Sequence, residues 1–423
     1  MTHKKVPEGR LGRLARMAAA GARTGAGLLL SKKSEGSAQH TAEILGTLRG
    51  LAAKVGQMAS YVDGVVPEEH RDAYETAMKR LRQAAPASSP AEVRRLVEDE
   101  LGAPIDRLFV EWSDAPIASA SIGQVHKARL EGGREVAVKV QHPGITKAIE
   151  ADLSNAAILE GMAAVMGARR LNSKAMLEVV RKRFREELDY ALEAERQRFF
   201  AELHSDHDKV RVPEVIDSHS SKRVLCTEFV TGASYDEACA APEREREQWA
   251  RTLWRFVFKG NLVGGRFNAD PHPGNYFFHD GGAVTFIDYG CVQPLEEWHR
   301  KGAVDLHRAA MTRDERLFRE RCSAFLGTKP GAFEDELLGF IRETFSPLFS
   351  SPYRFTRPFA AGLVERFKES GVKIRKLPDH EVQPVPADFF FMNRLQFGFY
   401  SVLARLDVEV DYSAVEREFL PPP

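Results

Sequence analysis

The sequence predicts an α+β chain of two lobes, a small mixed α/β lobe and a larger helical one, behind an N-terminal helical extension. Three observations carry this. Up to about residue 103 apolar residues recur at three- and four-residue steps, with no alternating pattern. Two alternating runs, residues 117–130 and 135–141, then flank Gly132-Gly133, a hairpin signature. Beyond Gly232 the periodicity is again helical, broken by one short β pattern between Arg266 and Gly290. The expected divisions are residues 1–103, 104–231 and 232–423.

A chain of 423 residues has length for two or three domains. Lys plus Arg and Asp plus Glu are both 60, so the net charge is zero, which argues against a dedicated nucleic-acid binder. The balance is not local. Residues 1–33 hold eight basic residues and one acid, Glu8, a basic end suited to anionic lipid or an acidic partner. An organelle transit peptide is an alternative reading of it. Cys226, Cys239, Cys291 and Cys322 are widely spaced without a C-x-x-C, which fits reduced thiols rather than a zinc cluster. No run of eighteen uncharged apolar residues exists, so no membrane-spanning helix is expected.

In chain order, residues 11–30 carry a narrow face of small and apolar residues edged by arginines. Residues 40–63 form a stronger helical pattern, with Lys54, Gln57 and Tyr61 on the flank of the apolar stripe. Residues 67–85 read as a third helix. Ser89-Pro90 caps and starts a fourth, which Gly102 stops.

In the second alternating run Lys139 lies between Val138 and Val140, and a lysine in an apolar strand needs an anion. Before it, Ser119, Ala120, Ser121, Ile122, Gly123 and Gln124 form a loop of small residues with one glycine. Helices are expected at 146–166 and 174–203. The second is acidic, with Glu186, Glu187, Asp189, Glu193 and Glu195, and a four-residue step would put Asp189 and Glu193 on one face. Val212-Pro213 begins a further β region, and residues 223–230 read as a buried strand running into an interlobe linker. The Phe-rich stretch 389–406 reads as core.

Residues 266–290 hold the densest chemistry: Asp270, then Asn275 five residues on, a turn at Asp280-Gly281-Gly282, an apolar run, and Asp288 before Tyr289-Gly290. One aspartate near a nucleophile, an asparagine and a second aspartate after a short hairpin fit a kinase-type site, whose divalent metal wants oxygen ligands.

Taken together these segments resemble the UbiB (AarF) family of atypical protein-kinase-like proteins, nearest its coenzyme-Q type, from about Arg10 to Asp411. The carriers are Lys54-x-Gly56-Gln57, the Ala-rich loop 118–126, Val136-Ala137-Val138-Lys139, Glu187-x-Asp189 with Glu193-Ala194, Asp270 to Asn275, and Asp288-Tyr289-Gly290.

The resemblance implies a bilobal protein-kinase-like fold that binds ATP or ADP with Mg²⁺ or Mn²⁺. Lys139 would hold phosphates and pair with Glu193, and Asp270 would take the catalytic position. Asn275 and Asp288 would hold metal. Ala118, Ser119, Ala120, Ser121, Ile122, Gly123, Gln124, Glu228 and Val230 would border the nucleotide. Lys54 and Gln57, tethered to Glu187 or Asp189, would cover the groove where protein substrates usually bind. The implied function is an atypical kinase or ATPase supporting ubiquinone synthesis or lipid homeostasis. Its implied partners are an anionic membrane surface or isoprenoid lipid, quinone-biosynthesis proteins and a second copy as homodimer, at a cytoplasmic, peripheral inner-membrane location. A nucleotide-gated lipid or complex chaperone is the rival, and a small-molecule phosphotransferase the weakest alternative. Four departures stand out: Ser119 for a frequent alanine, Asn268 for a frequent histidine, Tyr289 for phenylalanine, and Arg196 for a frequent asparagine.

Overall fold

The structure is a computed structural model describing residues 88–119, 122–153, 181–182, 185–378, 380–383 and 388–420. The helices expected over 11–30, 40–63 and 67–85, with Lys54 and Gln57, lie outside the described residues, as do Ala120 and Ser121.

Helix α1 (Pro90–Leu101) starts with proline in its first turn and ends at Gly102, whose φ of 75° is the left-handed stop that glycine favours. Ser89 holds the N-cap position, but its side chain makes no capping bond. Val93, Leu96 and Val97 face inward and, with Ile105 on the short α2 (Ile105–Leu108), pack on the small-lobe sheet at Val136, Val138, Val140 and Val224.

That sheet has five strands: β1 (Glu111–Trp112), β2 (Ala118–Ser119), β3 (Gly123–Arg129), β4 (Glu135–Gln141) and, later in the chain, β6 (Val224–Glu228). The β3–β4 hairpin turns at Gly132 and Gly133, with φ of 88° and 85°. The loop of small residues expected over 119–124 divides residues 117–130 into two strands: Ala118 pairs with Val125 and Ser119 with Gln124, so the chain doubles back there.

Gly123 is fixed by space rather than by φ. A Cβ there would lie 2.5 Å from the Tyr190 hydroxyl and 2.6 Å from the carbonyl oxygen of Val140. Gly123→Ala should therefore lower stability by about 1–3 kcal/mol, as overpacking does. Adding Tyr190→Phe should recover only part, because the backbone oxygen stays. Thermal unfolding of the two variants checks this, and full recovery would mean that the Val140 carbonyl yields.

Helix α3 (Ile145–Leu153) opens the expected 146–166 helix, whose remainder lies outside the described residues. The expected helix 174–203 is interrupted. Helical residues 185–187 give way at Leu188-Asp189, and α4 (Tyr190–Leu203) begins afresh. Asp189 is its N-cap, with extended φ of −121° and a carboxylate accepting from the Leu192 N–H at 3.2 Å. Asp189 and Glu193 thus do not share a helical face. An aspartate gains more by capping orphan N–H groups than by sitting mid-helix.

Strand β5 (Val210–Arg211) comes just before Val212-Pro213, earlier than expected, and pairs in parallel with the later strand β9 (Val284–Phe286). The large lobe is built on α6 (Glu243–Leu262), which follows the short α5 (Tyr235–Ala240). Around α6 stand β7 (Arg266–Asn268), β8 (Tyr276–Phe278), β9 (Val284–Phe286) and β10 (Val292–Pro294). Helices α7 (Glu297–Met311), α8 (Glu315–Leu326), α9 (Ala332–Thr344) and α10 (Ser346–Phe349) follow, then β11 (Tyr353–Arg354) and α11 (Arg357–Lys376). Helix α12 (Asp388–Leu406), β12 (Glu409–Val410) and α13 (Tyr412–Arg417) close the lobe.

Trp254 on α6 is nearly inaccessible and lies 4.1 Å from Phe258 and 4.2 Å from Tyr412, ring centre to ring centre. Phe256 stacks on Phe286 at 3.7 Å, seating β9 on α6. Phe397, Phe399 and Tyr400 of the Phe-rich stretch are buried. Among the described residues no helix is long and apolar enough to cross a membrane.

Candidate active site

Lys139 projects from β4 toward α4 and the loop that follows β9. Its Nζ donates to both carboxylate oxygens of Glu193, at 2.7 and 3.0 Å, and lies 3.5 Å from Oδ2 of Asp288. The Glu193 side chain is 4% exposed and that of Lys139 16%, so this cation is shared by two acids largely out of water. Burial disfavours the Lys139 charge, but Asp288 and Glu193 overcome it and hold its pKa well above the ordinary lysine value. Burial raises the Glu193 carboxyl, with the Lys139 ammonium opposing and the Asp288 charge adding to the rise.

Two short-range devices aim Asp288. Its φ of 73° is left-handed, a region where aspartate is tolerated better than most non-glycine residues. Its Oδ1 accepts from the Gly290 N–H at 3.0 Å, a local turn that turns the side chain back on its own backbone.

Asp270 and Asn275 come from the other arm of the same hairpin region. Asn275 Nδ2 donates to the Asp270 carbonyl at 3.3 Å, and its own carbonyl accepts from Ile287 N–H at 3.0 Å. Strands β8 and β9 pair antiparallel with Tyr276 opposite Phe286, which brings Asn275 beside the residues leading into Asp288.

Asn268 ties the two aspartate loops together. Its Nδ2 donates to the Asp288 carbonyl at 2.8 Å, and its Oδ1 accepts from the Asp270 N–H at 3.1 Å. Arg196, 5% exposed on α4, donates to the Gly290 carbonyl at 2.9 Å and pairs with Glu186. Tyr289 is fully buried against Phe200, with ring centres 5.4 Å apart, and its hydroxyl donates to the Phe286 carbonyl. Asn268, Tyr289 and Arg196, three of the four departures from the family pattern, are therefore engaged in holding this loop. The sequence shows them only as differences, because the deciding partners of Asn268 and Arg196, the Asp288 and Gly290 carbonyls, lie 20 and 94 residues away.

The other expected residues divide. Ile122 and Gly123 lie at the reversal into β3, and Ala118 and Ser119 on β2. The Gln124 side chain is turned inward: its Oε1 accepts from Ser88 N–H at 2.8 Å, and its amide meets His126 at 2.8 Å. Glu228 and Val230 stand at the end of β6, and Leu225 of that strand is opposite Lys139. At ~3.3 Å per residue this places Glu228 about 10 Å along the sheet from the lysine register. Glu187 is buried and Asp189 caps α4; their expected partner Lys54 lies outside the described residues.

No cluster of three or more His, Cys, Asp or Glu side chains among the described residues forms a closed metal cage. The Asp288 carboxylate and the Asn275 side-chain oxygen are hard donors of the kind that suits an ion, such as Mg²⁺, that takes few protein ligands and completes its shell with phosphate and water.

The matching family model, the ABC1 atypical kinase-like domain, covers residues 80–321. The chain belongs to the ABC1 atypical kinase-like family. Its relatives include the mitochondrial atypical kinase coq-8 of Caenorhabditis elegans, 29% identical over 91% of this chain and 51% of that protein. Another is the mitochondrial atypical kinase COQ8B of Rattus norvegicus, 28% identical over 96% of this chain and 80% of that one. The chain thus spans about half the length of the nematode relative. A solved structure, the complex of Rv3197 with erythromycin from Mycobacterium tuberculosis, superposes with a TM-score of 0.60 at 27% identity, covering 97% of both chains. The ABC1 family match and this superposition give the two-lobed architecture its kinase-like character.

Proposed function

We propose that this member of the ABC1 family is an atypical kinase or ATPase that binds ATP or ADP at the Lys139 cleft and transfers or releases the terminal phosphoryl group. The single observation that carries the reading is Lys139 held charged between Glu193 and Asp288. A preformed, desolvated cation of this kind neutralises phosphate oxygens without reorganising at the moment of reaction.

In this reading the Ala-rich loop, including Ala118 and Ser119, covers the phosphates, and the stretch from Glu228 to Val230 borders the base. Asp270 accepts the proton of the attacking hydroxyl or water as the new O–P bond forms and the bond to the β-phosphate oxygen breaks. Asp288 and Asn275 are placed to hold Mg²⁺ or Mn²⁺, which when bound offsets the charge of the phosphates. The tether of Lys54 and Gln57 to Glu187 or Asp189, which the family resemblance implies, would close the groove to protein substrates. The basic N-terminal stretch supports work beside a membrane, and the COQ8 names of the relatives support isoprenoid quinone synthesis as the served pathway. The extension, small lobe and large lobe are read as residues 1–103, 104–231 and 232–423.

The test is steady-state ATP turnover by the purified chain with Mg²⁺, with and without anionic liposomes. Turnover raised by liposomes is expected. Nucleotide-dependent thermal stabilisation without turnover in either condition would replace the enzyme with a nucleotide-gated chaperone.

A further inference from the structure

We infer that the large lobe holds a second ligand site, unconnected with the Lys139 cleft, that accepts the hydroxyl head of a single-chain aliphatic alcohol. The site is a cavity of about 60 Å³ enclosed by α6, α7, α8, α9 and α12, and none of its lining residues belongs to the phosphate site. Its walls are mainly apolar, with Leu262, Leu306, Ile341 and Phe399 among them.

Three polar side chains in these walls, Asn261, His307 and Thr344, are more than nine-tenths buried. Asn261, 8% exposed in the last turn of α6, has a side-chain oxygen with no hydrogen-bond partner among the described residues. An unmade buried hydrogen bond costs roughly 1–3 kcal/mol, so this amide needs a partner from outside the fold. His307, 6% exposed on α7, is the second. Its Nδ1 meets Glu416 Oε2 at 2.8 Å, while the other oxygen of Glu416 accepts from the Trp254 indole at 3.0 Å. Glu416 is wholly buried on α13, so it fixes the ring and assigns the Nδ1 proton. Nε2 is the ring nitrogen left for a ligand. Thr344 also lines the cavity, but its hydroxyl is spent on the Ile341 carbonyl.

The polar surface that remains is the Asn261 amide, Nε2 of His307 and the half-buried Gln396 amide. A hydroxyl group matches it, donating to Asn261 Oδ1 and accepting from a side-chain amide. A carboxylate would place an anion against Asn261 Oδ1 with no cation among the lining side chains.

Size sets the rest of the ligand. One water needs ~10–15 Å³ of such space, so the cavity takes on the order of four non-hydrogen atoms: a hydroxyl and a short run of methylenes, not a six-membered ring. The remaining chain must leave the cavity. The lining residues Leu262, Leu295 and Phe325 mark the way: Leu262 precedes Val263, 41% exposed, and the Phe325 ring centre lies 6.3 Å from that of Trp298, 55% exposed. These are two of the five exposed large hydrophobic residues among the described ones, and their position beside the cavity gives an apolar tail a surface to cover.

The experiment is equilibrium dialysis of the full chain against 1-octanol and against 1-methoxyheptane, an ether of the same length that keeps the body and loses the donor. The wild type is expected to bind one 1-octanol, about ten-fold more tightly than the ether, the discrimination of one buried hydrogen bond. Asn261→Leu should bring the two affinities together, and Ala303→Leu, which fills the cavity without touching its polar groups, should abolish binding of both. Equal wild-type affinities, or no saturable binding because the cavity holds water only, would overturn the inference. So would 1-octanol binding that survives Ala303→Leu in a variant shown to be folded by its unchanged thermal transition.

Discussion

Asp288→Asn should reduce Mg²⁺-dependent ATP turnover by about 10²–10³-fold, the cost typical of removing one preorganised electrostatic group. The substitution isolates charge from shape. Asparagine tolerates the left-handed φ of 73° at least as well as aspartate, and its amide oxygen can still accept from the Gly290 N–H. Lys139 also keeps its closer partner, Glu193. Thermal stability without nucleotide should therefore stay within about 0.5 kcal/mol, while nucleotide-dependent stabilisation by Mg²⁺ falls away. A parallel loss of folding stability would show that the carboxylate is structural. Unchanged turnover would remove Asp288 from the site.

Lys139→Ala should cost about 3–5 kcal/mol of folding stability at neutral pH, because it leaves Glu193 and Asp288 facing each other without their cation. Loss of nucleotide binding should accompany it. The pH dependence gives a second signature. Burial already raises the Glu193 pKa in the intact protein. A carboxyl with a raised folded pKa contributes stability that is present below its unfolded value and lost as pH rises through the folded one. Removing Lys139 raises it further, so the deficit of the variant should shrink on going from pH 7.5 to 5.5. The wild-type Lys139 keeps its charge across that window, since its own pKa is held well above the ordinary value. Urea unfolding at the two pH values measures this, and a deficit independent of pH would contradict the shared-cation account. Lys139→Met with Glu193→Leu should recover much of the loss, since an apolar pair removes the buried charge instead of stranding it.

Much of this architecture was legible in the sequence because local chemistry dictated it. Alternation about Gly132-Gly133 specified the β3–β4 hairpin, and Lys139 within apolar neighbours called for an anion. The spacing of Asp270, Asn275 and Asp288 around a Gly-rich turn gave the β8–β9 hairpin. In each case the causes lie within a few residues.

Other features depended on partners far along the chain. The small residues over 119–124 mark a loop, but that its two arms lie paired in one sheet is decided by strand register alone. The break at Asp189 required knowing that a capping bond would win over helix continuation. Asn268 joins two loops through backbone atoms, and Arg196 reaches Gly290 from a helix 94 residues away. Asn261 and His307 meet one cavity from different helices, and no spacing in the chain announces that. The sequence by itself determined which groups carry charge and where the backbone turns, since these follow from residue type and nearest neighbours. Only the tertiary structure decided which of those groups share a cation, a carbonyl or a void, because those contacts are set by packing between distant elements.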